Sequence, residues 1–296
     1  MLKAIFIEPV DVLYAEDYLQ LKYYEILLQY LRKQDSSWTF DRLMSRREEL
    51  LESMRVSQPH LALAEALLSS RQSARYREHV AYFRRRYGLR YITMIPGMYD
   101  VLKGLRRHFK LVVLSNQDRV ERYLRRFNMH LYFREVVTPA KAGAAKPGLE
   151  IFRQALKLCR AQPAEALMIG SRVDLDILPA RKLGLYAILA HFPPEEKQIL
   201  PQNLNERSFF ASLTRIPEWP KKPRRRGEVP HAVARTPAEV MAFVKQWELP
   251  TELSEEEQQK PVESAKEEGE PAPMPTTLAD VLRELLRPYL PPFPGS

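Results

Sequence analysis

Four stretches of this chain end in residues that handle charge. "KAIFIEPVDVLY" places Glu8 where an apolar run stops, and "KLVVLSN" ends on Ser115 and Asn116. "AGAAKP" carries Lys146 before Pro147, and "ALMIGSRVDLD" runs into Ser171, Asp174 and Asp176. A hydroxyl, an amide, a lysine and carboxylates in one crevice suit a phosphate and a divalent cation. The lysine and helix N-termini offset phosphate charge, while carboxylates hold Mg²⁺. Such a crevice forms only if each apolar run is a strand and the strands are parallel, because ligands gather at the carboxyl ends of strands in an open α/β sheet.

The pattern along the chain meets that requirement. Apolar runs at "KAIFI", "KLVVL", "EVVT", "ALMIG" and "LYAILA" alternate with segments of helical periodicity: "MYDVLKGLRRHF", "RVERYLRRF", "GLEIFRQALKLC" and "LDILPARKLG". This alternation predicts an α/β fold with a doubly wound parallel sheet. Between Glu16 and Tyr87 the periodicity is helical throughout, which predicts an all-helical insertion sitting over the strand ends. The resulting division is 1–14 and 93–250 for the core and 15–92 for the helical cap. Residues 193–230 read as an irregular, Pro-rich excursion containing "KKPRRR", and a last short strand precedes a helix with Thr236 as its N-cap. Residues 251–275 read as a disordered acidic linker. Residues 276–290 read as an amphipathic helix capped by Thr277, with Leu278, Val281, Leu282, Leu285 and Leu286 on one stripe. A stripe on a flexible tail fits helix-in-groove docking to a protein partner.

Composition narrows the function classes. The 296 residues are 45% hydrophobic, enough for a substantial core, and no apolar run approaches the roughly 18 residues of a membrane span. The N-terminal residues lack the pattern of a signal peptide, so the expected location is the cytoplasm. Cys159, the sole cysteine, falls in an apolar-periodic segment and reads as a buried hydrophobe. The six histidines show no zinc-like spacing, and His191 reads as structural. Eight Glu against two Lys give the linker −6, so with a net +9 for the whole chain the remainder carries +15. Such a body attracts polyanions. "RQSARYREHVAYFRRRYGLRY" and "KKPRRR" are the stretches through which nucleic acid would bind.

The stretches "IPGMYDVLKGLRRHFKLVVLSN", "YFREVV", "AAKPGLEIFRQAL" and "ALMIGSRVDLDILPARKLGL" resemble, in order and spacing, the haloacid dehalogenase superfamily of phosphatase-type hydrolases with a helical cap. The resemblance covers about residues 1 to 192 and implies a Rossmann-like core. In that family an Asp-x-Asp pair after the first strand supplies the nucleophile and the general acid and base. The resemblance makes Ser115 and Asn116 the phosphate-binding pair, Lys146 the charge-stabilising lysine, and Asp176 a weak metal ligand. It also exposes three departures: Glu8 at the nucleophile position, Val10 at the acid/base position, and Ser171 in place of the main metal-binding Asp.

Glu lengthens the carboxylate arm by about 1.5 Å, and a misplacement of about 1 Å can cost 100-fold. Val10 transfers no proton, forfeiting about 10² to 10⁴. Ser171 removes an anionic ligand from a hard cation. The leading expectation is therefore a catalytically inactive, phosphatase-like pseudoenzyme that acts as a protein-binding or regulatory module, without a cofactor. A weak or altered hydrolase of phosphate esters, using Mg²⁺, and a nucleic-acid binder are the alternatives. Asp11 reaching in from a shifted loop is the route by which activity would survive, and a Glu8–Lys146 ion pair would mark a site filled by its own side chains.

Overall fold

The computed structural model describes residues 2–53, 56, 58–117, 119–216, 227 and 229–246. The expected linker at 251–275 and the helix at 276–290, with its stripe from Leu278 to Leu286, lie outside the described residues.

Eight strands are described: β1 (Ala4–Ile7), β2 (Tyr14–Ala15), β3 (Thr93–Met94), β4 (Lys110–Leu114), β5 (Glu135–Val137), β6 (Ala166–Gly170), β7 (Tyr186–Ala190) and β8 (Ala232–Ala234). Six of them form one sheet in the order β5-β4-β1-β6-β7-β8, every neighbouring pair parallel. The chain builds outward from β1 through β4 to β5, then returns to the other side of β1 with β6, β7 and β8. That reversal puts the switch point of the sheet at the carboxyl end of β1, flanked by β4 and β6. The central strands are buried on both faces, which is why they read as continuous apolar runs rather than alternating ones. The remaining pair, β2 and β3, is an antiparallel two-residue ladder that apolar periodicity does not reveal.

The helices, in chain order, are α1 (Asp17–Arg32), α2 (Phe40–Ser53), α3 (Pro59–Leu67), α4 (Ser70–Tyr87), α5 (Met98–Arg106), α6 (Val120–Arg126), α7 (Pro139–Ala142), α8 (Glu150–Cys159), α9 (Leu178–Lys182), α10 (Leu204–Arg215) and α11 (Pro237–Gln246). Two compact units emerge. The first contains the sheet and takes in Met1–Gln20, Arg84–Leu200 and β8 with α11; the second takes in Leu21–Phe83 and α10. In the first, Phe6, Val112, Leu114 and Met168 from the strands pack with Ile151, Phe152, Ala155 and Cys159 of α8 and Ala180 of α9. Cys159 is free and buried, and burial pushes its thiol up. Thr236 caps α11, its hydroxyl accepting from the Glu239 amide at 3.1 Å.

Three local expectations need correction. The unit boundary falls at 20/21 and 83/84 rather than at 14/15 and 92/93. The first turn of α1 and the last of α4 belong with the sheet, where Arg84 pairs with the buried Glu16. The stretch 193–230 is not wholly irregular, since α10 occupies Leu204–Arg215. Asn203 caps it by accepting from the Glu206 amide at 3.0 Å, and it is tied to α2 by Arg47, whose Nη1 donates to Ser212 Oγ at 2.9 Å and to the Ile216 carbonyl at 3.1 Å. The small-residue loop before Lys146 contains the short α7, stopped by Gly143 at φ 71. Among the described residues, no helix is long and apolar enough to cross a membrane.

Candidate functional site

The carboxyl end of β1 delivers Glu8. Its amide donates to the Ile169 carbonyl at 3.0 Å, extending the β1–β6 ladder by one residue and fixing the direction of its side chain. On the other flank, β4 ends on the fully buried Ser115, whose amide donates to the Val137 carbonyl at 3.1 Å. Asn116 then clamps the next loop by two reciprocal bonds: the Lys146 amide donates to Asn116 Oδ1 at 2.8 Å, and Asn116 Nδ2 donates to the Lys146 carbonyl at 2.9 Å. Asn116 thus positions a lysine backbone, and its side-chain amide is spent on that task.

Lys146 reaches the centre. Its ammonium is 2.5 Å from Glu8 Oε2, 2.5 Å from Asp176 Oδ1 and 3.0 Å from the Leu114 carbonyl, so all three of its donors are used. The other Glu8 oxygen accepts from Ser115 Oγ and from the Val10 amide, both at 3.1 Å. The second Asp176 oxygen accepts from the amides of Ser171 (3.1 Å) and Arg172 (3.0 Å). These two bonds hold Asp176 within the π-helical turn Val173–Ile177, which replaces the regular helix expected there. Gly170 makes the approach possible: a Cβ there would stand 2.3 Å from that of Asp176.

This is a buried triad of two carboxylates around one ammonium. Burial pushes the Glu8 carboxyl above its usual range; Lys146 opposes the shift and Asp176 reinforces it. Burial works against the charge on Lys146 as well. The carboxylates of Asp176 and Glu8 outweigh it and hold the ammonium above its ordinary value.

The remaining sequence-derived positions fall as follows. Val10 offers only backbone groups, and its carbonyl accepts from Ser171 Oγ at 3.0 Å. Asp11 takes a left-handed turn at φ 58, a conformation that Asp tolerates better than most residues. Its carboxylate pairs with Lys197 at 2.7 Å, and that lysine also pairs with Asp17 at 3.0 Å. The partner described for the Asp11 carboxylate is thus an ammonium from the loop after β7. Asp174 pairs with Arg172 at 2.8 Å. His191 continues the β7–β8 ladder through its amide, which donates to the Ala234 carbonyl at 2.7 Å.

A second polar cluster escaped the sequence reading. Tyr14 OH donates to Gln117 Oε1 at 3.2 Å, and Gln117 Nε2 donates to Glu16 Oε1 at 3.0 Å. Arg84 Nη2 donates to both Glu16 oxygens, at 3.0 and 3.2 Å. Burial raises the Glu16 carboxyl, with Arg84 opposing. The Gln117 amide also donates to Ser115 Oγ at 3.3 Å, which links this cluster to the triad. The position of Gln117 directly after Ser115-Asn116 is the signal that would have found it.

Fit to a divalent cation can be judged from the donors. Mg²⁺ requires near-octahedral oxygen ligation at about 2.0–2.1 Å and usually recruits one or two carboxylates. Here both central carboxylates are engaged by one ammonium, and the described residues contain no cluster of three or more His, Cys, Asp or Glu able to hold a metal. In this arrangement all four oxygens of Glu8 and Asp176 accept protein donors, so the ion would have to displace at least one of them.

Comparison with known proteins agrees with this architecture. The profile for haloacid dehalogenase-like hydrolases matches residues 7–184. Haloacid dehalogenase-like hydrolase domain-containing protein 3 of Xenopus laevis is 34% identical over 114 residues, 37% of this chain and 47% of that protein. Glyceraldehyde 3-phosphate phosphatase of Methanothermobacter thermautotrophicus is 35% identical over 85 residues, 28% of this chain and 38% of that protein. The chain thus spans about half or less of the length of the curated relatives it matches. Among solved structures, a haloacid dehalogenase-like family hydrolase from Streptococcus pneumoniae superposes with a TM-score of 0.55 at 17% identity, covering 82% of this chain and 98% of that one, which speaks for the fold alone.

Proposed function

The chain belongs to the haloacid dehalogenase-like hydrolase family, and within it we propose that this member has exchanged phosphoryl transfer for a binding or regulatory role. One observation carries the reading: the Lys146 ammonium bridges Glu8 and Asp176 at 2.5 Å each, in the place where a hydrolase of this type needs a cation and a free nucleophile. An ion pair alone does not decide the matter, since a lysine beside carboxylates also serves active enzymes. The weight comes from three coincident losses. Glu8 reaches further than Asp and has both oxygens engaged, Val10 has no proton to give, and Ser171 spends its hydroxyl on the Val10 carbonyl. The residues that remain in family-like positions, Ser115, Asn116, Lys146 and Asp176, bond to one another or to Glu8.

A second reading is favoured by those same retained residues and by the match to proteins named glyceraldehyde 3-phosphate phosphatase: a slow or altered phosphate-ester hydrolase. Turnover of p-nitrophenyl phosphate with Mg²⁺ separates the two. The proposal expects rates for the unaltered chain and Glu8→Gln to be equal. Turnover that vanishes in Glu8→Gln would make the chain an enzyme. For the binding role, the tail is the candidate element from sequence alone. Replacing Leu282 and Leu285 with Asp should abolish capture of a protein partner and leave the melting temperature within a degree or two. A fall of many degrees would make the segment a strut of its own chain.

A further inference from the structure

Two arginine-rich segments that are separate in sequence meet within the sheet-containing unit. The last turn of α4 and the residues after it carry Arg84, Arg85, Arg86 and Arg90, while α6 and the residue before it carry Arg119, Arg122, Arg125 and Arg126. They are joined by a direct bond: Arg122 Nη1 donates to the Arg85 carbonyl at 3.1 Å. On a helix, residues three and four apart share a face, so Arg119, Arg122 and Arg126 form one stripe while Val120, Tyr123 and Leu124 bury the other face. The stripe is about 10 Å long and runs past the end of α4.

Among the described residues, the charges in this cluster are not cancelled locally. Arg84 is neutralised by Glu16, and the only carboxylate on α6, Glu121, sits 3.6 Å from Lys141. Arg85, Arg86, Arg119, Arg122, Arg125 and Arg126 have no ion pair among the described residues, and all are exposed. Gathering six like charges with no described counterion is unfavourable, more so as they approach within a Debye length of about 8–10 Å. A bound polyanion relieves that repulsion. The choice of Arg throughout, with no Lys among these positions, favours phosphate: the guanidinium fork bonds phosphate oxygens two at a time and its plane stacks on rings. Arg90 already lies 5.7 Å over the Tyr87 ring. A membrane surface is the poorer fit, because the exposed large apolar residues of the described chain, Tyr82, Leu131, Leu200, Leu204 and Val233, fall outside both arginine segments, and peripheral anchoring wants apolar side chains interleaved with the basic ones.

We propose that the surface formed by the end of α4 and by α6 binds single-stranded nucleic acid, the arginine stripe tracking consecutive phosphates. None of the six exposed arginines is a member of the Glu8–Lys146–Asp176 triad, so their removal leaves its ion pairs in place.

The test uses the full chain and a fluorescein-labelled 20-nucleotide poly(U) strand, with anisotropy read across a salt series. Arg119→Gln/Arg126→Gln removes two exposed charges that make no described contact, so the fold should be untouched, as melting would verify. The expected result is a dissociation constant at least tenfold weaker at 100 mM KCl and a log–log salt slope shallower by about 1.4, at about 0.7 per lost phosphate contact. Lys3→Gln/Arg153→Gln removes the same charge elsewhere and should change neither. The proposal is overturned by unchanged affinity in the first variant, by an equal loss in the second, or by tighter, Arg119- and Arg126-dependent binding to phosphatidylserine vesicles or polyglutamate than to the strand.

Discussion

Replacing Lys146 with Met probes the centre of the site because it removes the ammonium while keeping the stem of the side chain and the Asn116 clamp on its backbone. In the unaltered protein the Lys146 ammonium sits between the two carboxyl groups. The variant buries two carboxylates with no cation between them, and the Leu114 carbonyl loses its donor. Leaving buried charge unpaired in this way costs about 3–5 kcal/mol, a large share of the 5–15 kcal/mol that stabilises a typical domain. At about 2–4 °C per kcal/mol for a body of this size, the melting temperature at pH 7 should drop by about 10 °C.

The deficit should also depend on pH with a definite sign. Glu8 already sits above its usual range through burial, and losing the cation that opposed this raises it further. A carboxyl with a raised folded-state pKa adds stability at low pH that fades as pH rises through that value. The gap between variant and parent should therefore narrow as pH falls from 7 toward 5, and Glu8→Gln added to the Met variant should recover most of it at pH 7. Urea unfolding at the two pH values measures this. A Met variant within about 1 kcal/mol of the parent, or a gap insensitive to pH, would refute the reasoning, since isolated buried charge cannot be that cheap.

Two further outcomes follow from the same geometry. Gly170→Ala should destabilise by about 1–3 kcal/mol, because the new Cβ collides with Asp176, which is anchored by two amides and cannot swing away; an equilibrium midpoint equal to the parent's would show the π-helical turn to be soft. His231, pushed down to about 4 by burial and by the neighbouring Arg181, has a depressed folded-state pKa, so its contribution is present above pH 6.5 and is lost as pH falls through 4. The displacement corresponds to roughly 3 kcal/mol, and solvent screening of a half-buried imidazole brings it to about 1–2 kcal/mol. His231→Gln should show that much less acid destabilisation between pH 7 and 4.5, and identical acid profiles would remove His231 as the cause.

The sheet was legible because its central strands are buried on both faces, so the segments around Phe6, Val112 and Met168 announce themselves as short apolar runs between helical stretches. Glu8, Ser115, Lys146 and Asp176 were legible for the same reason: each stands where a run ends, and in a parallel sheet those ends converge. The Glu8–Lys146 pair could be anticipated from that convergence, but the equal share taken by Asp176 could not. It depends on a π-helical turn and on a glycine that lets a side chain lie against it, neither of which has a periodicity. The partnership of Asp11 with Lys197 joins positions 186 residues apart, and local pattern carries no information about such a pair. Prolines on either side concealed α10, although Asn203 followed three residues later by Glu206 was a capping signal that would have revealed it. The unit boundary was misjudged for a related reason: helical periodicity runs through α1 and α4 without marking where Glu16 and Arg84 tie them to the sheet.

Titrating the full chain with MgCl₂ in a calorimeter at pH 7.5 addresses the triad most directly, because a divalent cation entering here must displace one of the donors that now occupy the four carboxylate oxygens. If Lys146 holds that place, no saturable heat should appear up to ~10 mM Mg²⁺, well above the ~1 mM reach of weak protein sites for divalent ions. A one-site isotherm with a dissociation constant below ~1 mM that disappears in Asp176→Asn would contradict the claim and return the chain to the metal-dependent hydrolases.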